Sequence, residues 1–287
     1  METVRNIIPF SDWKSARDTL RKWREERKRK SADVLNLGSV LLSDHGRKLG
    51  DEIWTVYEQV LIAALDCGEL EQADEYLQVL ERQFPKSRRV LKLQGMLLEA
   101  SGSYDEALTL YDTALEENQN NAEFLKRKIA ICKAKGQTTD AIKQLTTYLE
   151  TYMSDYEAWM ELADLYISQN QYSKAAFCLE ELILSNPHHH LYHQRLAEIS
   201  YTQKTTESLE LAQQHFAQAI KLNPNNMRAL YGHHLTCCAL TKSKTRDSNT
   251  RYNDWTRSLI VQHYQQQAAV DKVELVQKSL EKISITK

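Results

Sequence analysis

Alanine recurs at one interval through the middle of this chain. Ala73, Ala107, Ala141 and Ala175 are each 34 residues apart, and Ala212 follows after 37. Four places further on stand Leu77, Tyr111, Leu145, Leu179 and Phe216, and three beyond those Leu80, Ala114, Tyr148, Leu182 and Ala219. Steps of four and three put all three sets on one face of a helix. Glycine keeps the same interval at Gly68, Gly102 and Gly136, with Asn170 next in the series. Those two residue types best tolerate the positive φ of a turn that closes a helix. Three of the four prolines, Pro85, Pro187 and Pro224, stand where the second helix of a unit must stop; proline cannot continue a helix interior. A single amphipathic hairpin cannot bury its apolar face, so this period predicts stacked copies.

Asp155–Pro187 is the fullest copy. Trp159, Leu162, Ala163 and Tyr166 form one helix face, Ser168–Ser173 a polar turn, and Ala175, Leu179 and Leu182 a second helix. This order of residues resembles the tetratricopeptide repeat, a helical hairpin of about 34 residues. The predicted fold is an all-α tetratricopeptide-repeat superhelical solenoid with non-consensus helical caps at both ends. Residues 1–50 are read as an N-terminal arm and helical cap, 51–224 as five repeats, and 225–287 as a C-terminal helical cap with a polar loop at 241–250. Residues 1–10 are the arm, and Ser11 is a plausible helix cap. Trp13, Ala16, Leu20 and Trp23 make one apolar stripe of the first cap, and Val34, Leu37 and Leu41 another. The fifth repeat is longer than the others, and its three extra residues are placed in the turn within Gln203–Ser208. Met227–Leu240 opens a sixth hairpin.

Composition removes several function classes. The formal net charge is −2 over 287 residues, so nothing draws the whole chain to nucleic acid or anionic lipid. The longest apolar run, Val60–Leu65, is far short of the roughly 20 residues that span a bilayer. The opening METVRNIIPFSDW has no secretory core. Five cysteines without a Cys-x-x-Cys spacing suit a reducing compartment, and membrane contact is expected through partners only. The basic run Arg21–Lys30 is interrupted by Glu25 and Glu26 and reads as a solvated helix face. His188, His189, His190 and His193, and His233–His234 beside Cys237–Cys238, have spacings that metal ligands use. Neither group has a completing ligand nearby, and both read as structural. There is no phosphate loop and no nucleophile motif, so no catalytic residue, metal or cofactor is expected.

In a repeat stack the first helices line an extended binding surface. The resemblance implies that positions 2, 5, 9 and 12 of each repeat face it. These are Arg89, Lys92, Met96 and Glu99, then Glu123, Lys126, Ala130 and Lys133, then Glu157, Met160, Asp164 and Ile167. With Arg127 and Lys128 the central run forms a basic patch suited to an acidic peptide or a carboxylate. Reversing Lys126, Arg127 and Lys128 is expected to spare the fold and release partners. Chaperone-adaptor repeat domains, which bind chaperone C-terminal peptides, carry Lys at position 5 and Asn at position 9. Here those positions read Glu58/Ile62, Lys92/Met96, Lys126/Ala130, Met160/Asp164 and Gln194/Glu198. No repeat has the pair, so this alternative is disfavoured.

A closer resemblance is carried by RKWREE at Arg21–Glu26, KLGDEIW at Lys48–Trp54, YEQV at Tyr57–Val60, IAALD at Ile62–Asp66 and RQFP at Arg82–Pro85. It continues in KRKIAI at Lys126–Ile131, KAAFCLEEL at Lys174–Leu182, FAQA at Phe216–Ala219 and NMRAL at Asn226–Leu230. In these segments the chain resembles the subunit 2 family of the endoplasmic reticulum membrane protein complex. The resemblance implies a non-catalytic, peripheral scaffold on the cytoplasmic face of that membrane. It would hold the cytosolic parts of the membrane subunits and a second soluble subunit, in a complex that inserts tail-anchored and multipass proteins.

Overall fold

The computed structural model describes residues 13–117, 119–240, 246–267 and 270–285. The expected arm at 1–10 and the cap at Ser11 lie outside the described residues. The chain forms two compact units, Met1–Gln137 and Thr138–Lys287. The first contains α1 (Trp13–Glu25), α2 (Ser31–His45), a 3₁₀ turn at Gly46–Lys48, α3 (Glu52–Cys67), α4 (Leu70–Gln83), α5 (Arg88–Ala100), α6 (Tyr104–Glu117) and α7 (Ala122–Ala134). The second contains α8 (Thr138–Thr151), α9 (Tyr156–Ser168), α10 (Tyr172–Ser185), α11 (His190–Gln203), α12 (Thr206–Leu222), α13 (Met227–Leu240), α14 (Arg246–Gln267) and α15 (Val270–Ile285). Among the described residues the regular elements are all helical. None of these helices is long and apolar enough to cross a membrane.

The turn series behaves as its residue types predict. Gly68, Gly102 and Gly136 have φ of +79°, +81° and +72°, and Asn170 has φ +56°. The residue after each returns its N–H to the last helical turn: Glu69 to Ala64 O, Ser103 to Leu98 O, Gln137 to Cys132 O and Gln171 to Tyr166 O, all at 2.9 Å. This closure satisfies carbonyls that a helix end otherwise leaves open.

The same interval reaches Lys204, 34 residues after Asn170, which also takes positive φ, +57°. The fifth turn therefore keeps the length of the others, and the expectation that the extra residues within Gln203–Ser208 belong to the turn is corrected. The extra residues lengthen a helix: α12 has 17 residues where α4, α6, α8 and α10 have 14 each. A capping box sets its start. Thr205 Oγ1 accepts the Ser208 N–H at 3.1 Å, and Ser208 Oγ accepts the Thr205 N–H at 3.0 Å. With two N-terminal donors satisfied at that point, the added residues can enter only as further helical turn.

The periodic alanines mark the tightest contacts. Ala73, Ala107, Ala141, Ala175 and Ala212 are all fully buried. Gly95 of α5 lies so close to the buried Tyr111 ring of α6 that a Cβ there would sit 2.2 Å from Tyr111 Oη. In the N-terminal cap, Ala16 and Leu20 of α1 pack with Val34 and Leu41 of α2 and with Val56 and Val60 of α3.

The basic run is not a solvated helix face. Helix α1 ends at Glu25, and Arg27 takes φ +51°. Arg21 and Arg24 fold onto α3, reaching the two Glu52 carboxylate oxygens at 2.6 and 3.1 Å. Arg29 pairs with Asp66, which also accepts the Ser31 hydroxyl at 2.6 Å. The arginine hydrogen bonds hold both carboxyls below the ordinary carboxylate range. Charge-assisted, forked guanidinium bonds give these contacts a defined geometry and tie the cap to α3.

The polar stretch 241–250 is also corrected in part. Residues 241–245 lie outside the described residues, and from Arg246 the chain is helical.

Candidate partner-binding surface

Within the first unit, α5 carries Arg89, Lys92, Met96 and Glu99, and α7 carries Glu123, Lys126, Arg127, Lys128 and Lys133. Successive first helices are tied by opposite charges. Glu58 of α3 pairs with Arg89, and Lys92 Nζ meets Glu123 Oε1 at 3.3 Å. Arg127 Nη1 meets Glu99 Oε2 at 3.0 Å. In the second unit Asp164 of α9 pairs with Arg195 of α11, and Glu198 of α11 meets Arg228 of α13 at 2.5 Å. Three of these pairs are 31 residues apart in sequence, which is the repeat length less one helical turn. Each exposed pair contributes little stability, about 0–1 kcal/mol.

The Glu99 pair is different. Its second oxygen accepts the hydroxyl of Tyr111 at 2.6 Å, and Tyr111 is fully buried. Burial, reinforced by Glu99, pushes the Tyr111 phenol well above its usual range. Glu99 thus links the core of one repeat to Arg127 of the next. Lys128 turns away from this chain of contacts and pairs with Asp112 of α6. Lys126 is half-buried, and Lys133 is exposed in the last turn of α7. The Lys126–Arg127–Lys128 patch is therefore not an open cationic surface. Reversing it would remove an intramolecular tie, so a loss of stability is expected alongside any loss of partners. The signal was present as opposite charges 28 residues apart, Glu99 and Arg127, but position-by-position reading within one repeat does not compare neighbours.

In the second unit α9 carries Glu157, Met160 and Asp164, of which Glu157 and Asp164 are exposed and Met160 is half-buried. The same helix borders a cleft that position counting missed. Trp159 and Tyr166, read as core residues, are only half-buried. They line a cavity of about 530 Å³ with Leu149 and Met153 on one side and Phe177 and Cys178 on the other.

His190, His193 and His233 are engaged in structural hydrogen bonds. His193 Nδ1 lies 3.1 Å from His215 Nδ1, and its Nε2 lies 3.0 Å from Pro187 O. His190 meets Asn223 and Asn226 at 3.2 and 3.0 Å. His233 Nδ1 meets Thr256 Oγ1 of α14 at 2.7 Å, with Cys237 Sγ at 3.6 Å. Among the described residues no three metal-capable side chains converge.

Burial at the α13–α14 contact, with His234 beside it, pushes His233 down to about 4. Its folded state therefore binds fewer protons than the unfolded state below the ordinary value of 6.5. The stabilisation is complete above about pH 6.5 and is lost as pH falls towards 4. The melting midpoint is expected to drop between pH 7.5 and pH 5, and to drop less in His233→Gln. Equal drops in both proteins would assign the acid sensitivity to other groups.

The EMC2 TPR-like repeat domain family model matches residues 70–216. Over 258 residues the chain is 48% identical to ER membrane protein complex subunit 2-A of Xenopus laevis, covering 88% of this chain and 87% of the relative. ER membrane protein complex subunit 2 of Dictyostelium discoideum is 31% identical over 299 residues, 99% of this chain and 93% of that protein. Among solved structures, the C-terminal part of a TPR repeat-containing protein from Cytophaga hutchinsonii matches with a TM-score of 0.60 and 13% identity, covering 87% and 94% of the two chains. That last likeness concerns the fold alone and agrees with the tetratricopeptide-repeat class.

Proposed function

The chain belongs to the subunit 2 family of the endoplasmic reticulum membrane protein complex, and on that premise we propose that it is the complex's peripheral scaffold on the cytoplasmic face of the membrane. Membership makes it a non-catalytic repeat subunit whose partners are other subunits of that complex. The finer reading is that it holds the cytosolic parts of the membrane subunits together with a second soluble subunit. By doing so it supports insertion of tail-anchored and multipass proteins. The observation that carries this reading is the 48% identity across 88% of the chain. A fold of stacked helices supports it, because repeat stacks offer extended surface for several partners at once.

The alternative chaperone adaptor gains nothing from the geometry. Lys92, the position-5 lysine of its repeat, is engaged with Glu123. Affinity purification of the tagged chain from gently solubilised cells, followed by mass spectrometry, tests the proposal. A fixed set of integral endoplasmic reticulum proteins in near-equal amounts is the expected result. Heat-shock chaperones in variable amounts, without membrane subunits, would overturn it.

A further inference from the structure

The geometry points to a second docking site on the Thr138–Lys287 unit, a cleft between α8, α9 and α10 that takes an amphipathic helix of a partner protein. Its floor is Leu149, Leu162 and Cys178, all buried. Its walls are large apolar side chains that remain open: Met153 is 70% exposed and Phe177 54% exposed. The Trp159 and Phe177 rings meet edge to face at 6.3 Å, and Trp159 Nε1 donates to Met153 O at 2.9 Å. That hydrogen bond fixes the indole and leaves its ring for contact.

Isolated exposed apolar residues are ordinary on a protein surface. These are not isolated, and the repeat does not require them. The slot of Met153 is proline in two other repeats, Pro85 and Pro187. The slot of Phe177 is Thr109 and Lys143 in the two preceding repeats. Two successive repeats therefore depart from the others, the third at Met153 and the fourth at Phe177, one on each wall of the cleft.

Charge selects the kind of occupant. At the Met153 end stands Glu150, beside the C-terminus of α8, where the helix dipole adds negative potential. At the other end Lys174 stands at the start of α10, 5.4 Å from the Tyr166 ring centroid. Neither Glu150 nor Lys174 forms an ion pair with another described residue. They contrast with the paired charges that link the first helices. From Trp159 to Tyr166 the cleft follows α9 for about 10 Å, two helical turns. An occupant helix with apolar residues at i, i+3 or i+4 and i+7 would fill it. A basic side chain belongs at its end against Glu150 and an acidic one at its end against Lys174. Its favoured direction is parallel to α9, with its positive N-terminus towards Glu150.

The test is photo-crosslinking in the assembled complex, with benzoylphenylalanine in place of Phe177 in the full-length chain. Crosslinked peptides are mapped by mass spectrometry. The expected product is a partner segment with that apolar spacing and opposite charges at its two ends. Met153→Asp should reduce its yield about tenfold or more, as loss of an anchor side chain does. Glu150→Lys should reduce it about threefold, the scale of an exposed ion pair. Met153 is exposed, so its variant should keep the parent's thermal melt, which is measured alongside. Adducts with lipid or detergent alone, with a second copy of this chain, or with a segment lacking the pattern would overturn the proposal. So would the absence of any product, or a yield that neither substitution lowers.

Discussion

Gly95→Ala is expected to melt well below the parent protein, although alanine is the better helix former. In an exposed helix the exchange would gain about 1 kcal/mol. Here the new Cβ would stand 2.2 Å from Tyr111 Oη and 2.4 Å from two of its ring carbons. The ring has no easy escape. Tyr111 is fully buried, stacks on Phe124 at 5.5 Å between centroids and donates to Glu99 at 2.6 Å. Forcing extra volume into such a contact costs about 1–3 kcal/mol beyond what helix propensity returns. Leu77, Leu145 and Leu179 hold the slot of Tyr111 in other repeats, so Tyr111→Leu should recover part of the loss when combined with Gly95→Ala. A Gly95→Ala protein that melts at or above the parent would show that α5 and α6 can separate without penalty.

Arg127→Glu should destabilise the first unit by about 2–3 kcal/mol, while Lys128→Glu changes it by no more than about 1 kcal/mol. The two basic positions are adjacent in sequence, but their partners differ. Arg127 supports a carboxylate that is itself bound to a buried tyrosine, and the variant would bring a second carboxylate against Glu99. Asp112, the partner of Lys128, is 56% exposed and rehydrates when released. Denaturant unfolding of the two single variants separates the cases. Equal effects would remove the special role given to the Tyr111–Glu99–Arg127 chain. The result bears directly on function: partners lost on reversing the whole patch would report a weakened fold as readily as a lost contact.

The repeat itself could be read from residue order because its constraints are local. A positive φ after a helix favours glycine or asparagine, a closely packed helix face favours alanine, and a helix end admits proline. Each leaves a mark at a fixed interval. Lys204 shows the limit of that reading. It takes the same backbone conformation as Gly68 but is not a residue type that advertises it, so the fifth turn appeared longer than it is. Thr205 and Ser208 were visible as polar residues, yet their reciprocal capping became evident only from their geometry.

The chain order was sufficient for the helical class, the period and the family, since periodic burial and short-range backbone chemistry are written into neighbouring residues. It was insufficient for the binding surface. Whether a charge is available depends on the side chain facing it from the next repeat, and the 31-residue offset arises from how stacked helices align. Arg21, Arg24, Arg29 and Arg127 all look like open cations in the sequence and are all held by carboxylates in the fold. Met153 and Phe177 look like unremarkable members of two helical segments, and packing alone brings them to opposite walls of one cleft.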